Sequence, residues 1–344
     1  MKISKLILAV ILSSYIFACK NDNKTESMSS LNSNEKQDPL PSFNEGATKT
    51  SIIEFVESIV NPNNKDFVTP ADRIVCFDND GTLWVEQPLP TQIYFDFDRI
   101  KGLAKEQSEL ATTQPYKAIV DNDMATIKTF GVNELIQIVG TAHRVHNIDL
   151  FDSIVKSWLL KAKHPVLNKP FTALIYQPML ELLDYLRANE FKIYIVSGGS
   201  QEFMRVWVPN VYGVPKENII GSTFKKEVTI VNDKINVSQT NNFEFNDDHE
   251  GKVIAINTLI GKKPIMVVGN SDGDLEMMQY CDTNLLPHFL LYLKHTDADR
   301  EFLYDKHTLA GKLIKGEEVA KEKNWTIIDM KTDWNKVFPD NIKE

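Results

Sequence analysis

Two carboxylates and a glycine fall within five residues, Asp78-Asn79-Asp80-Gly81-Thr82, directly after the apolar run Ile74-Val75-Cys76-Phe77. A carboxylate can attack phosphorus and form an acyl-phosphate, which splits a hydrolysis into two easier steps. A second carboxylate two residues on can protonate the leaving alkoxide and then activate water. Gly81 permits the sharp turn that brings both groups to one place. Asp, Asn and Gly are also common turn formers, so the cluster taken alone is compatible with a simple Asx-rich turn.

Three further groups of residues could serve the same chemistry. Ser197-Gly198-Gly199-Ser200 offers a hydroxyl and backbone N–H groups to an anionic oxygen. Lys252 could neutralise charge on a transferred phosphoryl group and on its nucleophile. Gly269-Asn270-Ser271-Asp272-Gly273-Asp274 offers oxygen ligands suited to Mg²⁺, a hard cation that keeps several waters. Each has a plainer reading: a Ser/Gly turn, a solvated lysine, a helix cap by Asp272 or Asp274.

The elements that would position these groups are legible from periodicity. Ile74 to Phe77, residues 192–196 and residues 264–268 are short apolar runs bounded by polar residues, as in strands buried on both faces. Ile52, Phe55, Val56 and Val60 have helical spacing. So do Ile93, Phe97, Ile100 and Ala104, and so do Leu150, Ile154, Trp158 and Leu159 after a cap at Asp149. Pro178 opens a helix carrying Met179, Leu182, Leu183 and Leu186. Residues 227–237 read as a hairpin about Asn232-Asp233, and residues 251–260 and 275–280 as helices. Strands alternating with helices predict an α/β fold, a mostly parallel sheet covered on both faces. Ligands then bind beyond the carboxyl ends of the strands, where three of the four groups fall.

Taken in order, the four groups resemble the motifs of the haloacid dehalogenase superfamily, over roughly residues 70 to 285. The resemblance implies a Rossmann-like core and a Mg²⁺ cofactor. Asp78 would be nucleophile and metal ligand. Asp80 would be acid/base and a ligand through its backbone carbonyl. Ser197, with Gly198, and Lys252 would hold the phosphoryl group. Dehalogenases of the superfamily lack the second Asp and its ion-pumping ATPases have Thr there, so Asp80 favours phosphatase or phosphotransferase chemistry. Phosphoserine-phosphatase-like members carry an Asp as the metal ligand of the fourth motif, where this chain has Asn270. Alignment on Gly269 gives Asn270 and Asp274 as the metal-site pair, Asp274 serving as partner of Lys252 or of metal-bound water, with Asp272 as the alternative ligand. A helical insert between the first two motifs acts as a cap in this superfamily, and an acidic residue near its start contacts substrate in phosphoserine phosphatases, a role that would fall to Glu86.

The division expected is a core of residues 51–85 and 176–344 and a cap of residues 86–175. Trp84 reads as hinge packing. His143-Arg144-Val145-His146 reads as a helix end or a pair of satisfied histidines. The tail after Pro287, with Lys294-His295-Thr296-Asp297, is expected to add a helix and a strand at the sheet edge, with room for a substrate contact. Cys76 reads as a small buried hydrophobe.

The remaining expectations concern the chain's surroundings. Lys2 and Lys5 precede an apolar run from Leu6 to Ala18 that ends at Cys19. This resembles a bacterial lipoprotein signal over residues 1–19, with Cys19 lipidated, a tether over 20–50 and an outer-membrane destination. A hydrophobic content of 42% and charged content of 25% are those of an ordinary globular protein. A formal net charge of -9 without a basic run argues against nucleic acid as partner. The expected partner is a small phosphorylated metabolite, and the expected activity Mg²⁺-dependent hydrolysis of its phosphate ester through an aspartyl-phosphate. A phosphotransferase using the same site, or a surface lipoprotein that only binds, are the alternatives.

Overall fold

A computed structural model describes residues 37–340. The signal segment, Cys19 and residues 20–36 lie outside the described residues. Strand β1 (Ile74–Phe77) is buried along its whole length. Its alternate side chains serve two cores. Val75 and Phe77 join one, Ile74 and Cys76 the other, as the two-residue period of a strand requires. On one side β1 pairs in parallel with β2 (Lys192–Ser200), which pairs in parallel with β3 (Ile219–Val231). On the other it pairs in parallel with β5 (Met266–Gly269), followed outward by β6 (Phe289–Lys294) and β7 (Thr326–Asp329), also parallel. With β4 (Lys234–Phe245) antiparallel to β3 at one edge, the order is β4-β3-β2-β1-β5-β6-β7. The chain moves one way from β1 and later returns to its other side, so the ends of β1, β2 and β5 flank the switch point where such sheets bind ligands.

Helix α1 (Ala47–Val60) precedes the sheet. Between β1 and β2 lie α2 (Thr91–Leu103), the short α3 (Tyr116–Val120) and α4 (Met124–Ile127), α5 (Val132–His143), α6 (Ile148–Leu159) and α7 (Gln177–Ala188). Helix α8 (Gln201–Tyr212) follows β2, and α9 (Glu250–Ala255), continued by a π-helical turn over Ile256–Ile260, follows β4. Then come α10 (Leu275–Asp282), α11 (Lys315–Lys323) and α12 (Met330–Asp333). All four apolar residues expected on α7 are buried.

Several expectations need correction. The tether does not extend to residue 50: Leu40 and Phe43 are buried, and Phe43 meets the Trp334 ring edge-on at 6.1 Å. Residues 37–50 are polar in composition, but two apolar anchors suffice because the chain's far end supplies their partner. On α2 the buried residues include Phe95, Asp96 and Ile100, and on α6 Phe151 and Val155, while Leu150 is left exposed. Asn147, not Asp149, caps α6, accepting from the Asp149 amide. A step of one residue turns a helix by about 100°, so choosing Leu150 over Phe151 rotates the inferred face away from the core. The hairpin is longer than expected and turns at Asn232 and Asp233, both with positive φ, as a tight hairpin turn demands. Its β4 bridges to Val145 through Gln239, with N···O distances of 3.0 Å in both directions. The hairpin beyond residue 223 therefore packs with the helical insert. The tail adds two strands, and β6 lies inside the sheet instead of at its edge.

Phe43→Ala removes a buried ring, so unfolding stability should fall by about 3–5 kcal/mol, read from urea denaturation. A loss below about 1 kcal/mol would mean that the segment is only loosely attached.

Candidate active site

The chain leaves β1 at Asp78, whose amide donates to the Val268 carbonyl of β5 at 2.9 Å. Gly81 then turns with φ +73°, and a Cβ there would overlap the Asn270 amide and lie 2.6 Å from Glu86 Oε2. Only glycine satisfies both the dihedral and the space. The turn is tied down from below. His295 Nε2 donates to the Gly81 carbonyl at 2.6 Å, and its Nδ1 faces Glu301 Oε2 at 3.0 Å. Tyr176 also donates to Glu301, and Tyr304 stacks on the His295 ring. The histidine of the tail motif is thus a support of the first loop.

Lys252, on α9, is buried and donates to two carboxylates, Asp78 Oδ1 at 2.7 Å and Asp274 Oδ1 at 2.6 Å. Burial, with Asp274 close by, pushes the Asp78 carboxyl up to about 8 against the pull of Lys252. Burial would lower the Lys252 ammonium, but Asp274, Asp78 and Asp248 outweigh it and hold it well above its ordinary range. The lysine therefore remains a cation in this site.

Asp80 is half-buried and faces the cavity. Burial raises its carboxyl, against donation from Trp84 and Asn79. Trp84 Nε1 donates to Oδ1 at 2.9 Å and its ring stacks on Trp207 at 4.0 Å. Trp84, read from sequence as hinge packing, also fixes the rotamer of Asp80. Strand β2 runs past its expected end, with a register slip between Ser197 and Ser200, the local bend of a bulge. The bulge leaves Gly199 between two functional oxygens: a Cβ there would lie 3.4 Å from Ser197 Oγ and 3.5 Å from Asp80 Oδ2. Gly198 borders the same cavity, its carbonyl held by Ser222 Oγ at 2.8 Å. Gln92 of α2 accepts from the Ser200 amide at 2.7 Å, joining the helical insert to this loop. Buried Asp247, which no motif had signalled, has its carboxyl pushed up to about 7 by burial, with Lys252 opposing.

The fourth loop sorts its acids clearly. Asp274, expected at the metal, binds Lys252 with Oδ1 and folds Oδ2 back onto the amides of Asn270 and Ser271 at 2.9 and 3.0 Å. Gly269 makes room for it, since a Cβ there would lie 2.5 Å from Asp274 Cγ. Asp272 points elsewhere: its Oδ1 accepts from the amides of Ile314 and Gly316 at 2.9 and 2.8 Å. Both oxygens of Asp274 and one of Asp272 are thus occupied. Asn270 is different. Its inward amide atom, Oδ1, lies 3.2 Å from Asp78 Oδ2 and 3.1 Å from both the Asp80 carbonyl and Thr82 Oγ1. Reversing the amide would give that position an N–H donor, but would then turn Oδ1 onto Glu86 Oε2, an acceptor when ionised, 3.3 Å from Nδ2. Oxygens about 3 Å apart are what adjacent ligands of octahedral Mg²⁺ present at ~2.1 Å metal–oxygen distance. The donor set, a carboxylate, a carbonyl and an amide oxygen, fits a hard cation.

Glu86, expected to face substrate, directs its carboxylate at Asn270 because Gly81 and Gly311 leave space there. Burial and then Asp80 and Asp78 push it well above the ordinary carboxylate range. His143 is buried against Asp96 at 2.9 Å, away from any metal geometry, while His146 is exposed. A cavity of about 610 Å³ opens over Asp78, Asp80, Ser197, Gly198 and Lys252.

Fold and site together define a hydrolase with a mostly parallel α/β core and an aspartate pair at the end of its central strand. The chain belongs to the haloacid dehalogenase-like hydrolases, matching that family over residues 73–282. Among solved structures, a conserved functionally unknown protein from Anaerococcus prevotii DSM 20548 shares the fold with a TM-score of 0.55 at 16% identity, covering 85% of this chain and 94% of that one. A protein with unknown function from Bordetella pertussis Tohama I has a TM-score of 0.48 at 13% identity, covering 75% and 98%. A probable phosphoserine phosphatase from Vibrio cholerae has 0.36 at 14% identity, covering 67% and 58%. No curated protein matches the sequence.

Gly81→Ala should lower kcat on any substrate by about a hundredfold through misplacement of Asp78 and Asp80. Circular dichroism should show an intact fold, and an unchanged kcat would refute the turn's positioning role.

Proposed function

We propose that this hydrolase cleaves phosphate monoesters. The observation that supports this best is the convergence of Asp78, Asp80, Ser197 and Lys252 on one cavity at the ends of β1 and β2. Asp78 attacks phosphorus and takes the phosphoryl group as an aspartyl-phosphate, while Asp80 gives its proton to the departing alkoxide. Asp80, now a carboxylate, removes a proton from the water that attacks the aspartyl-phosphate and releases phosphate. Ser197 Oγ and the Gly198 backbone bind phosphoryl oxygens, and Lys252 balances the charge gathered on them and on Asp78. Mg²⁺, held by Asp78, the Asp80 carbonyl and Asn270, would neutralise phosphoryl charge and so favour attack by an anion.

Glu86 restores what Asn270 lacks. An amide ligand brings no charge, and Glu86, 3.3 Å behind it, would supply one once a bound cation favours its carboxylate over the protonated form that burial favours. As an acceptor for Nδ2–H it also keeps Oδ1 facing inward, the role of an outer partner to a metal ligand. We also propose that the enzyme sits in the cell envelope, anchored through lipid on Cys19, which the Lys2, Lys5 and apolar 6–18 pattern before it supports. Labelling with radioactive palmitate that persists in Cys19→Ala would exclude that anchor.

Purified protein lacking residues 1–19 should hydrolyse p-nitrophenyl phosphate in Mg²⁺, and Asp78→Asn should reduce the rate at least about a thousandfold. Retained activity in that variant would end the nucleophile assignment. Glu86→Gln should weaken Mg²⁺ binding about tenfold or more by titration calorimetry. Adding Asn270→Asp to Glu86→Gln should restore it, and a Glu86→Gln protein that binds Mg²⁺ normally would remove Glu86 from the metal site.

A further inference from the structure

The cavity over the catalytic pair has an apolar wall that the chemistry at phosphorus does not use. Helix α5 carries two apolar faces. Ile138 and Ala142 are buried with Ile100 and Ile119, which is the packing that holds the helix in place. Val132, Leu135, Ile136 and Val139 form a second stripe at positions i, i+3, i+4 and i+7. All four line the cavity that contains Asp78 and Asp80. Val132 is 71% exposed and Leu135 39% exposed, so the fold leaves this stripe uncovered. Phe224 and Phe243 of the hairpin, meeting edge to face at 5.5 Å, continue the wall.

Charge in the cavity points the same way. Among the described residues no arginine lines it; its basic side chains are Lys252, already bonded to two carboxylates, Lys312 and His249, the last facing Asp248 and Glu276. Glu86, Asp248 and Asp272 are further anions along the lining. Along the α5 stripe an ester whose organic part carries a carboxylate or a second phosphate would meet apolar carbon, with Lys312 the one lining lysine among the described residues not already bonded to carboxylates. The volume of about 610 Å³ is that of an ordinary small-molecule site.

We infer that the substrate is a phosphate monoester of an uncharged, apolar alcohol, whose hydrocarbon part lies along the α5 stripe while its phosphate meets Asp78. This rests on the phosphomonoesterase reading. The leaving group departs as the alcohol after protonation by Asp80, so no additional reactant is needed.

The test is a series of straight-chain alkyl phosphates from ethyl to octyl, assayed below micellar concentrations. Their leaving alkoxides are nearly equal in basicity, so chain length reads binding and not bond cleavage. kcat/KM should rise about threefold per methylene over the first several carbons, chiefly through KM. Phosphoserine should fall below butyl phosphate. Leu135→Asn combined with Val132→Asn changes exposed positions and should flatten the dependence on length. If esters are hydrolysed with no rise along the series, or if the double variant keeps the same slope, the apolar-substrate inference is overturned while the phosphatase reading stands. If none of the esters is hydrolysed, p-nitrophenyl phosphate included, both fall.

Discussion

Lys252 holds one positive charge between two buried carboxylates, and the geometry of the site follows from that imbalance. Removing an ammonium and two carboxylates from water is costly unless the ions meet in close contact. Contacts of 2.7 and 2.6 Å meet that condition for one oxygen of Asp78 and one of Asp274. The second oxygen of Asp274 is occupied by the amides of its own loop. The second oxygen of Asp78 lies beside Thr82 Oγ1 and the Asn270 amide, where oxygens crowd together. A cluster with more anions than cations at that point suits a divalent ion and a phosphoryl group arriving together.

The supports of this cluster come from distant parts of the sequence. Gly81 makes the turn, yet the residue that pins its carbonyl is His295, 214 positions away. Trp84 orients Asp80 and is itself clamped by Trp207 on α8. Asp272 anchors the segment at Ile314 and Gly316, and Gly311 in that segment borders Glu86. The tail after β6 is in this way part of the catalytic scaffold. The roof has a similar division of labour. Gln92 ties α2 to the β2 bulge, while α5 spends one face on packing and leaves the other to the cavity.

Much of this was legible in the sequence, for stated physical reasons. Strands buried on both faces are continuous apolar runs, so β1 and β5 could be read within a residue or two. Short polar motifs at strand ends announce themselves by contrast, which is why Asp78, Asp80 and Ser197 were found together, while Lys252, on a helix, was found only by its place in the order of motifs. Helical faces were read less well. A stripe of buried residues and its neighbour differ by one position, and polar Gln92 and Asp96 are buried on α2 because they have partners, a circumstance that hydropathy does not encode. The buried anchors at Leu40 and Phe43 were missed because composition averages over a segment, whereas burial needs only one complementary ring.

By itself, then, the sequence determined the alternation of strands and helices, the order of the motifs and which polar groups are candidates for the chemistry, because each depends on local pattern. Tertiary structure alone decided which oxygen of each acid is free. That choice gave Asp274 to Lys252, Asp272 to the tail and Glu86 to Asn270, since a carboxylate's role depends on which donors surround it, and those donors come from α9, the loop after β5 and residues beyond 290 that only folding brings together.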